Sequence, residues 1–266
     1  AALGSLFDGC LAVFHLACRN VRLSLRRPTE VHDVNASGTL QVLKAATAAR
    51  VKRFLYVSSS EVNGTADIIP MPEDYDFKPE TIYGASKLCG EYYAQVFQRS
   101  GWLETLIARP HNNYGPREHY AGNKGEVIPR FILWALAGQN PVIFGDGRQT
   151  RDFTYVTETV DCLVGLMEHD AAVGQTVTVC RGEEVSILEL AEAVRAHCGK
   201  ALAAEHVPSR PSDVLRLYGD NTKLRRLLGR TPSLSIGEGI AKTYDWFAQN
   251  VPVTPEVLAS MLPANW

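Results

Sequence analysis

The first 110 residues alternate short apolar runs with stretches that repeat apolar residues at the helical period. Continuous apolar runs at 11–17, 54–57 and 105–108 predict strands that are buried on both faces, whereas 36–50 and 83–99 predict helices. Such strands, separated by helices, are typical of a parallel sheet that carries helices on its faces. This region therefore predicts a doubly wound α/β fold.

Proline and glycine become frequent after Pro110, and the regular alternation ends there. Residues 141–147 predict a strand that runs into a turn, and residues 186–198 predict a helix capped by Ser186, with Glu189 three residues later. We expect a smaller, mixed α/β substrate-binding part here, interleaved with late elements of the sheet. The predicted division gives the doubly wound part residues 1–110 and about 145–170, and the smaller part about 111–144 and 171–266.

Composition argues against several classes of partner. The 266 residues are 45% apolar with a net charge of −2, so nothing favours binding to nucleic acid or to an anionic membrane surface. No apolar run reaches the roughly 20 residues that a membrane span requires. The six cysteines form no C-x-x-C pair and have no histidines at zinc-ligand spacing, which predicts reduced thiols, no metal site and a cytoplasmic location.

The strongest candidate site combines a serine run with a tyrosine–lysine pair. Ser58, Ser59 and Ser60 end a predicted strand, where open α/β sheets bind their ligands. Tyr83 and Lys87 are four residues apart on a predicted helix and therefore share a face. We expect an ammonium group one turn away to lower the pKa of the phenol, so that Tyr83 can act as a general base towards a hydroxyl group.

A second tyrosine–lysine pair, Tyr120 and Lys124, has the same spacing. It encloses glycine and asparagine, which favour a loop, and no serine-ended strand precedes it. We interpret this second pair as a coincidence.

The serine run and the tyrosine–lysine pair lie within a series of motifs that resembles the NAD-dependent epimerase/dehydratase family, the extended short-chain dehydrogenases that modify sugar nucleotides. The matching segments follow in the family's order along nearly the whole chain: Val13-Phe-His-Leu-Ala17, Asn35-x-x-Gly38-Thr39, Ser58–Gly64, Tyr83-x-x-x-Lys87, Arg109–Pro116, Arg151–Val156 and Arg210-x-x-Asp213. Asn63 replaces the family's usual tyrosine, and His111 replaces its phenylalanine. The resemblance implies a Rossmann-like fold, NAD as cofactor, and a homodimer formed largely by the helices at 36–50 and 83–99.

The resemblance also implies roles for individual residues. The implied catalytic residues are Ser59, Ser60, Glu61, Tyr83 and Lys87. The implied cofactor-binding residues are His15, Leu16, Ala17, Asn35 and Ser58, together with Tyr83 and Lys87. The implied substrate-binding residues are Asn112, Val127, Ile128, Phe144, Arg151, Arg210 and Asp213, and two guanidinium groups suit a diphosphate.

The family reaction begins with oxidation of a nucleoside-diphosphate sugar at C4, and the fate of the 4-keto sugar defines the enzyme. Return of hydride to the other face gives an epimer, loss of water across C5–C6 gives a 4-keto-6-deoxy sugar, and a C5 carboxylate is lost as carbon dioxide. Glu61 argues against a plain 4-epimerase, because dehydration needs a base at C5 and burial raises a carboxylate's pKa to suit that role. We expect an epimerase/dehydratase acting on a UDP- or dTDP-linked hexose, with UDP-glucuronate decarboxylase as an alternative.

The family's glycine-rich phosphate loop, G-x-x-G-x-x-G, has no counterpart in the sequence, and neither has the acidic residue expected after it. By the size of a βαβ unit, roughly 60 residues of the family pattern precede the first residue. We therefore expect the first strands of the sheet to be missing and the chain to bind a sugar nucleotide better than NAD. A truncated, inactive relative that only binds sugar nucleotides or a partner is the second alternative.

Overall fold

The computed structural model describes residues 5–209 and 215–261. Its strands, in chain order, are β1 (Ala12–His15), β2 (Arg53–Val57), β3 (Glu104–Pro110), β4 (Asn113–Tyr114), β5 (Val142–Phe144), β6 (Thr150–Arg151), β7 (Thr154–Tyr155), β8 (Thr176–Val179), β9 (Val185–Ser186) and β10 (Glu205–Val207). Its α-helices are α1 (Val21–Ser24), α2 (Pro28–His32), α3 (Gly38–Ala48), α4 (Ile82–Arg99), α5 (Val127–Leu136), α6 (Val156–Glu168), α7 (Ile187–Cys198), α8 (Thr222–Leu228), α9 (Ile236–Asn250) and α10 (Pro255–Ser260).

Four strands form the central sheet in the order β1–β2–β3–β8, and every neighbouring pair is parallel. Successive side chains of β2 point to opposite faces, so both faces need a cover. Phe54 and Tyr56 share a buried cluster with Leu43 of α3, while Leu55 packs with Leu166 of α6. This arrangement confirms the predicted doubly wound sheet with helices on both faces.

A second hydrophobic core lies outside the sheet. It joins α5, α7 and α9 through fully buried side chains, among them Ile128, Leu190 and Phe247. α7 begins where the sequence predicts, because the Ser186 hydroxyl accepts the Glu189 N–H at 3.1 Å and the Glu189 carboxylate accepts the Ser186 N–H at 2.7 Å. Three two-stranded pairs, β5–β10, β4–β7 and β6–β9, border this core.

One strand of the central sheet comes from a segment that we assigned to the smaller part. β8 pairs with β3, and Val177 and Val179 are fully buried there. The four residues of β8 alternate polar and apolar side chains, and such a short pattern does not show which sheet a strand joins. Among the described residues β1 is the edge strand, with Phe14 40% exposed, and no helix is long and apolar enough to cross a membrane.

Candidate active site

The serine run extends β2 at the carboxyl edge of the sheet. The Ser58 N–H donates to the Ala108 carbonyl of β3 at 2.7 Å, which continues the ladder by one residue. The chain then turns, with the Ser59 hydroxyl accepting the Glu61 N–H at 3.3 Å. Ser58 and Ser60 are buried, whereas Ser59 is partly exposed. Ser59 is therefore the serine most open to a ligand.

α4 brings Tyr83 to the serine run. The Thr81 hydroxyl caps the helix by accepting the Gly84 N–H at 3.0 Å. A glycine is needed at position 84, because a Cβ there would lie 2.4 Å from the Glu61 carbonyl oxygen. The Ser59 side chain lies close enough to the Tyr83 hydroxyl to lower the pKa of that phenol. The fold therefore brings Tyr83 towards the serine run, as the helical spacing and the serine-ended strand predict.

Lys87 lies one turn further along α4 and is 2% exposed. Its Nζ donates to the Val57 carbonyl at 2.6 Å and lies 4.5 Å from the centre of the Tyr56 ring. Burial lowers the pKa of Lys87 to about 8. The ammonium group is thus fixed at the end of β2, on the same helix as Tyr83.

The expected lowering of the Tyr83 pKa is wrong. Burial raises the pKa of Tyr83 above its ordinary value, and the charges of Glu61 and Glu126 add to that rise. Removing water from a phenolate costs more here than its hydrogen bond with Ser59 returns. The sequence reveals the helical spacing of Tyr83 and Lys87 but not the depth at which the fold buries them.

The end of β1 supplies the side of the site that we assigned to the cofactor. His15 is buried, and its Nε2 lies 2.9 Å from the Thr39 hydroxyl. Burial lowers the pKa of His15 to about 4, so the imidazole is neutral at physiological pH. Leu16 and Ala17 follow directly and are exposed, which leaves them accessible to a ligand.

Asn35, which the resemblance also assigns to the cofactor, is buried, whereas Leu16 and Ala17 are exposed. It is 1% exposed, and its amide binds both the N–H and the carbonyl of Arg19, at 2.7 and 3.0 Å. It also donates to the Ser86 hydroxyl at 3.0 Å. Asn35 therefore holds the segment after β1 against α4 from inside the protein.

A charged cluster beside Tyr83 was missed by the sequence reasoning. Arg22 of α1 donates twice to the Glu126 carboxylate, at 2.7 and 2.9 Å. Burial raises the pKa of Glu118, and the nearby charge of Glu126 raises it further. Burial also raises the pKa of Glu61, while the charges of Arg151 and Arg22 oppose that shift. Arg22 lies 104 residues from Glu126 along the chain, so no local sequence pattern indicates that the two side chains meet.

The implied substrate-binding residues come from several elements of the smaller part. The Asn112 amide donates to the Asp152 carbonyl at 3.3 Å. Arg151 lies close enough to Glu61 for its positive charge to lower the pKa of that carboxyl group. Val127 and Phe144 are partly buried, whereas Ile128 is fully buried in the second core. Arg210 and Asp213 lie outside the described residues.

The structure also bears on the second tyrosine–lysine pair and on metal binding. The stretch from Tyr120 to Lys124 contains only a short 3-10 turn, Gly122–Lys124, so the second tyrosine–lysine pair does not share a helix face. In residues 5–209 and 215–261, no group of three or more His, Cys, Asp or Glu side chains is arranged to hold a metal ion.

A doubly wound sheet with serine, tyrosine and lysine at its carboxyl edge defines an enzyme of the short-chain dehydrogenase type. The model of the GDP-mannose 4,6 dehydratase family matches residues 4–243. The chain belongs to this family of NAD-dependent enzymes that epimerise or dehydrate sugar nucleotides, and the resemblance drawn from its motifs is confirmed.

Individual relatives agree with this assignment. UDP-glucose 4-epimerase of Mycolicibacterium smegmatis is 36% identical over 237 residues, which cover 88% of this chain and 75% of the relative. The structure of UDP-glucose 4-epimerase from Thermotoga maritima with UDP-glucose matches with a TM-score of 0.89 at 28% identity, covering 94% of this chain and 82% of that one. UDP-glucuronic acid 4-epimerase from Bacillus cereus, in complex with UDP-glucuronic acid and NAD, gives 0.86 at 28% identity, covering 94% and 79%.

The described residues fit one side of an NAD molecule. The Ser58 hydroxyl is buried and has no hydrogen-bond partner among the described residues, which suits a polar ligand at the end of β2. Leu16 and Ala17 follow β1, the strand that pairs with β2, and are exposed. Lys87 donates to the carbonyl of Val57, the residue before Ser58. These groups suit the nicotinamide and its ribose.

Proposed function

We propose that this chain acts on a UDP- or dTDP-linked hexose through a 4-keto intermediate, with Tyr83 as the group that takes the C4 hydroxyl proton. The approach of the Ser59 side chain to the Tyr83 hydroxyl, at the carboxyl edge of the sheet, carries this proposal. It places two hydroxyl groups where one substrate oxygen can contact both. Lys87, fixed on the Val57 carbonyl, holds a positive charge one helical turn away.

In the proposed reaction the C4–H bond breaks as hydride leaves, and the C4–OH proton passes to Tyr83 as the carbonyl forms. Bound NAD supplies the hydride acceptor. Ser59 donates to the substrate oxygen and holds it against Tyr83. Lys87 stabilises the negative charge on the tyrosine oxygen during the transfer, since burial makes an ammonium's field stronger there than in water.

Glu61 supports further chemistry at C5. It follows the serine run directly, and burial raises its pKa above that of an ordinary glutamate. A carboxylate with a raised pKa is a stronger base and, once protonated, a usable acid. We therefore propose dehydration through Glu61 ahead of simple epimerisation. Glu61 would take the C5 proton and pass a proton to the C6 hydroxyl, which leaves as water. The hydride taken from C4 would then return to C6 while C5 regains a proton, which gives the 4-keto-6-deoxy sugar.

The charges near Tyr83 favour a hexose that is neutral at C6. Glu61 and Glu126 both lie close enough to raise the pKa of Tyr83, and Glu118 adjoins Glu126. Arg22 is already bound through two hydrogen bonds to Glu126. A uronate would add a negative charge to this group, so the decarboxylase alternative is the less favoured one.

Two further proposals concern assembly and location. The α4 surface exposes Tyr92 and Val96, at 47% and 41%, and α3 lies beside α4. An exposed apolar helix surface supports the expected homodimer through these two helices. Light scattering at micromolar concentration tests the dimer, and a clean monomer would contradict it.

The six free cysteines support a reducing, cytoplasmic location.

Titration calorimetry with UDP-glucose, dTDP-glucose, UDP-glucuronate and NAD tests the substrate proposal. We expect a neutral hexose nucleotide to bind at least about tenfold more tightly than UDP-glucuronate, which corresponds to roughly 1.4 kcal/mol. Tyr83→Phe should bind the same ligand equally well and lose roughly 10²- to 10⁴-fold in turnover. Preferred binding of the uronate, or full turnover by Tyr83→Phe, would refute the respective assignment.

A further inference from the structure

Asp152 is a fully buried carboxylate directly after Arg151, and its exposed fraction is 0%. Its carboxylate accepts three backbone N–H groups: Arg181 at 3.1 Å, Gly182 at 2.9 Å and, more weakly, Gly219 at 3.4 Å. It thus joins the loop after β8 to the segment before α8. No residue of the proposed reaction contacts its carboxylate.

The backbone of Asp152 extends these connections to the proposed substrate side. Its carbonyl accepts the Asn112 amide at 3.3 Å, and its N–H donates to the Leu217 carbonyl at 3.0 Å. Tyr218, the residue after Leu217, is in turn bound to Met71, whose N–H donates to the Tyr218 carbonyl at 3.0 Å. One side chain and its peptide groups therefore hold four separate parts of the chain together.

The surrounding backbone is shaped to approach this carboxylate. Gly182 has φ +79°, and a Cβ there would lie 2.7 Å from the Asn221 Nδ2. A Cβ on Gly219 would lie 2.7 Å from Thr178 Cγ2. Larger residues at either position would push the amide groups away from Asp152.

A buried carboxylate is a costly way to hold a fold together. Burial raises the pKa of Asp152 to about 6, although the Gly182, Gly219 and Arg181 amides oppose that shift. An apolar residue would avoid this desolvation cost but would leave the amides of Arg181, Gly182 and Gly219 without their acceptor. Asp152 also directly follows Arg151, and its carbonyl accepts the Asn112 amide, so the network that it holds lies beside two implied substrate-binding residues.

We propose that Asp152 is a positioning residue, which sets the Asn112 amide and the Arg151 backbone in the geometry that receives the sugar nucleotide. The proposal rests on the proposed function, with Asn112 and Arg151 as ligand contacts, the role that the family resemblance implies for them. Asp152 acts by fixing the peptide units on either side of it and does not touch the substrate.

The test compares Asp152→Asn with Glu158→Gln by UDP-glucose calorimetry. The asparagine NH₂ group would face one of the backbone donors, so we expect Kd to rise at least about tenfold. Glu158 makes a matched control, because its carboxylate also accepts backbone N–H groups, from Ser233 at 2.7 Å and Leu234 at 3.1 Å. Glu158→Gln should lower Tm yet leave Kd within about twofold. In turnover, Asp152→Asn should raise KM and leave kcat nearly unchanged.

A pH series on the wild-type protein gives a second measurement, which does not require the variant to fold. UDP-glucose keeps its charge between pH 5 and 7.5. Of the titratable groups near Asp152, Cys180 has its pKa raised by burial and His111 has its pKa lowered by burial to about 4. Arg151 and Arg181 are its charged neighbours, the first in sequence and the second through its N–H. Affinity should therefore weaken as the pH falls through about 6, and Asp152→Asn should remove this part of the pH dependence while Glu61 and Glu118 keep theirs.

The outcomes separate the two proposals. Wild-type protein that binds no sugar nucleotide at pH 7.5 refutes the proposed function, and the role of Asp152 falls with it. Wild-type binding with an unchanged Kd in Asp152→Asn, or with a Kd that is flat from pH 5 to 7.5, overturns the positioning role alone. An equal loss of affinity in Glu158→Gln also overturns it, because any weakened loop would then have the same effect.

Discussion

Glu91→Gln should remove the most deeply buried ion pair among the described residues. Glu91 and Arg109 are 0% and 2% exposed, and the carboxylate accepts two guanidinium hydrogen bonds at 2.8 and 2.7 Å. Arg109 also donates to the Glu73 carbonyl at 2.8 Å and stacks 5.0 Å from the Phe77 ring. The pair therefore fixes α4, one turn beyond Lys87, to the end of β3.

The expected cost follows from this geometry. Glutamine keeps one acceptor, loses the second charge-assisted bond and leaves a guanidinium charge buried without its counter-ion. Removing one partner of such a pair costs roughly 3–5 kcal/mol. We expect a loss of that size in the free energy of unfolding, measured by urea denaturation at pH 7.5.

Glu104→Gln is the matched control for Glu91→Gln. It breaks an ion pair with Arg53 at 3.1 Å, but the Glu104 side chain is 43% exposed. Water already screens that pair, so its loss should cost under about 1 kcal/mol. If Glu91→Gln costs no more than Glu104→Gln, burial does not set the strength of the pair and the reasoning fails.

Two further predictions concern stability. Burial, with help from the charge of Arg109, lowers the pKa of His111 to about 4, below the 6.5 of an unfolded histidine. The unfolded state therefore binds a proton more readily than the folded state. The free energy of unfolding is highest above pH 6.5 and falls by about 2 kcal/mol by pH 5. His111→Phe should therefore show a smaller fall in Tm between pH 7.5 and 5, and an equal fall contradicts the assignment. Gly90→Ala should lower the free energy of unfolding by roughly 1–3 kcal/mol, because its Cβ would lie 2.2 Å from the Tyr56 hydroxyl. The control Gly237→Ala meets nothing within 4 Å and should be neutral or stabilising. Equal shifts in Tm for the two variants would argue against the close packing of α4 on β2.

The parts of the site that depend on local pattern could be predicted from the sequence. The helical spacing of Tyr83 and Lys87 and the serines at a strand end both survive in the fold, and Tyr83 does reach Ser59. Periodicity also identified the three strands that carry the early part of the sheet. These features depend on residues within a few positions of one another, so the sequence encodes them directly.

The missed parts depend on contacts between distant segments. Arg22 meets Glu126 across 104 residues, and β8 joins the sheet from the far half of the chain. The pKa of Tyr83 was expected to fall and rises instead, because it depends on burial by several elements. Neither hydrophobic periodicity nor residue spacing reports such burial.

The direction of these pKa shifts bears on the proposed chemistry. Burial raises the pKa of Tyr83 and lowers that of Lys87, so the protein surroundings oppose charge on both groups. Tyrosinate becomes accessible only when the environment gains positive charge or new hydrogen-bond donors. An oxidised nicotinamide is a cation, and a substrate hydroxyl is a donor. In the proposed reaction, a cationic cofactor and a donating substrate hydroxyl would therefore both lower the pKa of Tyr83 towards the range in which it can act as a base.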